Sequence, residues 1–231
     1  PASLMMAVTS YLSTDVAAVP LLWVVPLALY LVTFVVAFSR RGDRVSAAVA
    51  QGLPIVLLPL VLLIATRGGV PLWFMLPMHL ATFTGLALVC HAQLARDRPP
   101  TAQLTAFYLA IAAGGTLAGA FNAVVAPRLF TDVSEYPLVI GAACLMQASG
   151  RRLREVLTTP RLLARPLLAA AIAVGGLAIG SALRLGPGEM LAMLGVSALV
   201  AFGTRRDPAR FALSVVLLLL AGASIPGAAW G

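Results

Sequence analysis

The sequence predicts an all-α fold, a polytopic transmembrane bundle of about eight spanning helices preceded by the end of a truncated one. Three observations predict it. Hydrophobic residues make up 61% of the chain and charged ones 10%, with a mean hydropathy of +0.99, whereas a soluble domain needs a charged shell of about 25%. Apolar runs recur at a length that suits a bilayer core, about 20 residues at 1.5 Å each. The arginines fall almost entirely in alternate connections between those runs, the asymmetry that orients membrane helices.

The elements follow in order. Residues 1–14 begin at Pro1, without a charged leader or a small-residue cleavage site, and read as the end of a helix that starts in a preceding segment. Ser13, Thr14 and Asp15 break it, and Thr14 or Asp15 caps the next helix, with Pro20 near its start. Eight apolar segments qualify as spans: 16–38, 47–66, 70–94, 101–126, 135–149, 166–183, 189–202 and 211–225, of which the fifth and seventh are short. Thr101 is placed to cap the fourth.

Loops one, three, five and seven hold Arg40, Arg41, Arg44; Arg96, Arg98; Arg151, Arg152, Arg154, Arg161, Arg165; and Arg205, Arg206, Arg210. Loops two, four and six hold only Arg67, Arg128 and Arg184. The odd loops are therefore expected in the cytoplasm, and Trp230 at the outer interface. All 16 basic residues are arginine, which suits a GC-rich coding sequence. The net charge of +8 comes with no basic stripe interleaved with aromatics, so a nucleic-acid partner is not expected. Val19-Pro20-Leu21 with Pro26 and Val70-Pro71-Leu72 with Pro77 form a faint echo, with Trp23 against Phe74. It reads as an internal repeat or as drift among membrane prolines.

Several polar residues are candidates for function. Asp15 at a helix break is either a cap or an acid facing a cavity. His79 lies inside the third span and His91, with Gln93, near its cytoplasmic end, too far apart to share a metal on one helix. Each is either a titrating relay or a neutral ring bonded to a neighbouring helix. Gly115, Gly119 and Asn122 share one face of the fourth helix, which reads as a close-packed seam with Asn122 donating across it. Arg96, Asp97 and Arg98 before Pro99-Pro100 make a charged cytoplasmic turn that sets topology or docks a partner. Cys90 and Cys144 sit in apolar runs, a pattern of neither a disulfide nor a metal site. No GxSxG, HExxH, Walker or GxGxxG motif occurs in its required context, so no catalytic residue, cofactor or metal is expected.

Two stretches carry a resemblance. The first runs Ala2-Ser3-Leu4-Met5-Met6-Ala7-Val8-Thr9-Ser10-Tyr11-Leu12-Ser13-Thr14-Asp15 and on through Pro20, Trp23 and Pro26 to Leu31. The second runs from Cys90-His91 through Leu94-Ala95-Arg96-Asp97-Arg98-Pro99-Pro100 to Phe107-Tyr108, Gly114-Gly115, Phe121-Asn122, Ala126-Pro127 and Glu135-Tyr136-Pro137-Leu138. Their order resembles the membrane region of bacterial fused spermidine synthase-like proteins, described as major-facilitator-like, over less than half of the chain. The resemblance implies a multi-pass protein of the bacterial inner membrane, bedded in the lipid bilayer. It also implies a fused or separate aminopropyltransferase domain as partner, which joins decarboxylated S-adenosylmethionine to putrescine. That domain is absent from these residues, so this chain is not expected to be an enzyme. The family carries Gly-Glu after Cys-His and an acid before Phe-Tyr; here Ala92, Gln93 and Ala106 stand instead. A cation- or proton-linked role resting on those carboxylates is therefore not implied. The other reading is a major-facilitator-like transporter of a small solute. The eight carboxylates fall in loops or at helix ends, an unfavourable arrangement for carrying a polycation.

Overall fold

A computed structural model describes residues 1–13, 23–66, 71–129 and 135–223. Thr14, Asp15, the first half of the proline echo at 19–21, Arg67 and Trp230 lie outside the described residues.

The described residues are helical with no strand. The elements are α1 (Ala2–Tyr11), α2 (Val24–Ala37), α3 (Gly42–Thr66), α4 (Leu72–Arg96), α5 (Leu104–Ala120), α6 (Ala126–Leu129), α7 (Glu135–Met146), α8 (Gly150–Thr158), α9 (Pro160–Ala182), α10 (Pro187–Phe202) and α11 (Pro208–Ala223). Within the described residues each of the eight apolar segments overlaps helix, the fourth running through a 3-10 turn, α5 and a π-helical stretch into α6. Four stretches, Gly42–Thr66, Trp73–Arg96, Thr101–Leu129 and Pro160–Ala182, are long and apolar enough to cross a membrane. The remaining four are apolar helices of 10–17 residues.

Local chemistry fixes the ends. Ser39 to Gly42 make a tight turn between α2 and α3, where a Cβ on Gly42 would strike the Ala37 carbonyl. The Gly186 amide donates to Glu189 Oε2 at 2.6 Å and Pro187 follows at the first helical position, which starts α10. Asp207 Oδ1 accepts from the amides of Ala209 and Arg210 at 3.2 and 3.4 Å, which starts α11.

Three local expectations need correction. Thr101 caps nothing: it opens a 3-10 turn, Thr101–Gln103, in which the Gln103 amide donates to the Pro100 carbonyl at 2.9 Å. The helix that holds the sixth segment starts at Pro160 rather than Pro166, a proline at the first helical position that needs no amide partner, and Pro166 sits inside it. The fifth loop is not irregular, because α8 forms within it. Ser149 Oγ accepts from the Arg152 amide at 3.2 Å, and Val156 anchors the helix fully buried.

The core joins α1, α3, α4, α7, α9, α10 and α11 through Leu4, Leu57, Leu86, Ile140, Leu177, Leu194 and Leu218, all at most 2% exposed. α9 packs on α10 and α11, α4 on α2 and α3, and α11 on α7 and α3. α5 is different: none of its residues is buried.

Candidate functional site

Buried polar atoms inside apolar helices gain from partners on the same or neighbouring helices, because an unpaired one loses its hydration without compensation. The two histidines of α4 find such partners in different places. His91 Nδ1 lies 3.1 Å from Thr33 Oγ1 on α2, and the Thr33 hydroxyl donates to the Tyr30 carbonyl at 2.8 Å. With its one proton committed there, Thr33 accepts from His91, which sets the Nδ1–H tautomer. Tyr30 and Phe34 present themselves edge-on to the imidazole, at centroid distances of 4.9 and 5.3 Å. His91 also lines an apolar cleft of about 340 Å³ with Ser3, Phe34, Phe107 and Gly115.

His79 is fully buried and its Nδ1 lies 2.9 Å from the Tyr136 hydroxyl on α7. The Tyr11 ring lies beside both, 4.7 Å from His79 and 5.0 Å from Tyr136. His79 Nε2 and Thr82 Oγ1, one helical turn apart, are buried without a hydrogen-bond partner among the described residues. Twelve residues along α4 thus separate two distinct clusters, one toward α2 and one toward α1 and α7. Among the described residues no three of His, Cys, Asp and Glu come together as a metal site.

The remaining candidates map as follows. Gln93 is half-buried near the end of α4, and its carbonyl accepts from the Asp97 amide at 3.1 Å. Arg96 reaches back to α3, with Nε 2.9 Å from Asp43 Oδ1 and Nη2 3.3 Å from Ser46 Oγ. Asp97 ends α4, and Arg98 is exposed. Asn122 Nδ2 donates to Ser3 Oγ on α1 and to the Ala118 carbonyl, each at 2.8 Å. Among the described residues the seam beside it is not closely packed: a Cβ on Gly115 would have no atom within 4 Å, and one on Gly119 would touch Met6 Cε at 3.6 Å. Among the described residues α5 packs mainly on short α1 over this stretch, and an open cleft separates it from α2 and α4. The close approach lies elsewhere, at Gly222, where a Cβ would stand 2.9 Å from Ala65 Cβ and 3.0 Å from its Cα. Cys90 and Cys144 are buried free thiols.

The arginine-bearing connections gather at one end of the bundle. Besides Arg96 and Asp43, Arg152 Nη2 lies 2.5 Å from Asp207 Oδ2, joining α8 to the α10–α11 turn. Arg165 donates to the Gly203 carbonyl at 3.4 Å, and Arg210 Nε to the Leu162 carbonyl at 3.1 Å. Burial raises the Asp207 carboxyl, but the Arg152 guanidinium and the amides of Arg210 and Ala209 outweigh it and hold it below its ordinary value.

Sequence reasoning missed the partners: Thr33 and Tyr30 for His91, Tyr136 and Tyr11 for His79, Asp43 for Arg96. A hydroxyl within an apolar run was the available signal, since buried polar groups pair, but the run alone does not say with which helix.

Residues 1–94 are similar to the family described as the PRAME N-terminal domain, a match that stops two residues before the end of α4. No curated protein and no solved structure matches the chain.

Proposed function

We propose that this chain is a membrane-embedded domain of about eight spans, with its arginine-rich end in the cytoplasm. It serves as anchor or partner of a soluble aminopropyltransferase domain, as the sequence resemblance implies, and has no catalytic role of its own. One observation carries the membrane part of this reading. The stretch Thr101–Leu129 has a mean hydropathy of 1.7 over its most apolar window, yet only 6% of that window is buried. An apolar helix so bare needs lipid as its solvent, because soluble proteins rarely expose such a surface. Leu109 and Leu117, 69% and 71% exposed, stand on it.

The small-solute transporter is kept as the second reading because an open, mostly apolar cleft lies beside His91, between the start of α1, α2, α4 and α5. Recovering the coding sequence around these residues separates the two. A synthase domain in the same frame or beside it, with no spermidine formed from putrescine by this chain alone, supports the anchor. Solute uptake by proteoliposomes, with no synthase nearby, overturns it. Single cysteines at Arg41 and Gly150, in a background lacking Cys90 and Cys144, test the orientation. Both should resist an impermeant thiol reagent in intact cells, and labelling of both would invert the topology.

A further inference from the structure

A cleft of about 600 Å³ opens at the arginine-rich end, between the third turn of α3, the end of α7 and the start of α11. Its lining is divided. Arg205, Arg206 and Gln51 are exposed and Gln147 half-buried, while Cys144 and Phe211 are buried. The neighbouring acid does not neutralise the arginines: Asp207 is engaged by Arg152 and by two amides of α11. Arg205 is held in place, with its Cζ 4.1 Å from the Phe202 ring centroid and Nη1 donating to the Phe202 carbonyl at 3.2 Å. Most of its five donors remain available. Arg206 has no hydrogen-bond or ion-pair partner among the described residues.

We propose that this cleft binds the phosphate of an anionic phospholipid head group, with the two guanidinium groups on the phosphate oxygens and the two carboxamides on head-group hydroxyls. Guanidinium matches phosphate in shape and charge, and basic pockets between membrane helices on the cytoplasmic side suit such head groups. The apolar interior selects an amphiphile over free phosphate. Ile55, 64% exposed one turn along α3 from Gln51, and Met146, 66% exposed beside Gln147, offer the acyl chains a path toward the bilayer. The site rests on the membrane reading above.

The test uses the whole chain in nanodiscs of phosphatidylcholine, with and without phosphatidylglycerol, followed by native mass spectrometry of retained lipid. Phosphatidylglycerol should be retained preferentially, and Arg205→Gln with Arg206→Gln should weaken its retention on the order of tenfold. Arg40→Gln with Arg41→Gln, at the same end but outside the cleft, should leave retention unchanged. Equal loss in both double variants overturns the site in favour of general surface charge. Displacement by millimolar inorganic phosphate overturns the lipid as its source. The unfolding midpoint of each variant in phosphatidylcholine alone should match the parent, so that a lost lipid is not a lost fold. A chain that fails to insert into either disc refutes the membrane reading, whereas one that inserts into both without preference refutes only the site.

Discussion

Pro166 and Arg210 offer the sharpest test of how this bundle is held together. A proline inside a helix has no amide for the carbonyl four residues earlier, so Pro166 leaves the Leu162 carbonyl without its helical donor. Arg210, from the first turn of α11, supplies one: its Nε donates to that carbonyl at 3.1 Å. A hydrogen bond from a charged donor contributes about 1.5 to 3 kcal/mol when desolvated. Arg210 is only half-buried, which brings the expectation for Arg210→Met to roughly 1 to 2 kcal/mol. Methionine keeps most of the aliphatic stem, so packing changes little. Pro166→Ala restores an amide at the right position, and in that background the same loss should fall to about 0.5 kcal/mol or less, a coupling near 1 kcal/mol. Reversible unfolding of the four proteins in mixed micelles measures the cycle. Equal losses in both backgrounds would show that Arg210 acts through something other than the carbonyl that Pro166 frees.

Four further outcomes follow from the contacts. Gly222→Ala should be less stable than Gly115→Ala by about 1 to 3 kcal/mol, since the gain in helix propensity is shared and only Gly222 faces backbone; equal micelle stabilities would remove the close approach to Ala65. Asn122→Ala should lose about 0.6 kcal/mol and at most 1.7, and nothing in a Ser3→Ala background if the bond across to α1 is the whole effect. Tyr136→Phe leaves His79 Nδ1 buried without its partner and should cost about 1 to 3 kcal/mol, more than Tyr30→Phe, whose carbonyl rather than hydroxyl meets Thr33. Because the folded Asp207 carboxyl sits below its ordinary 3.8, its contribution is complete above that pH and is lost as pH falls through the lower folded value. The stability gap between parent and Asp207→Asn should therefore stay flat from neutral pH to about 4 and close below it.

Much of the architecture was legible because hydropathy and charge report on solvent directly. The apolar runs mark the helices, and the arginines mark one end of the bundle, where Arg96, Arg152, Arg165 and Arg210 all reach partners on other elements. The amphipathic α8 was hidden for a related reason. Its three arginines and one glutamate read as a charged loop, and only the cap at Ser149 and the lone buried Val156 betray it. Glycine spacing misled about α5. A small-residue face permits close approach but does not supply the neighbour, and no described residue comes within 4 Å of where a Cβ on Gly115 would stand.

The polar interior was half legible. His79, His91 and Asn122 stand out in apolar runs, and the need to pair them follows from the cost of burying a polar group without a partner. Which partner each takes depends on helix rotation and register, quantities that a hydropathy pattern leaves free by about a turn. His91 shows the consequence. Thr33 and Tyr30 lie three residues apart on α2, so a single turn presents both the hydroxyl that accepts from the imidazole and the ring that stands against it. Rotating α2 by one residue, about 100°, would carry both away together and leave His91 buried and unpaired. The hydrogen bond thus fixes the rotation of α2 against α4, which apolar packing between helices rich in Val and Leu would not do alone.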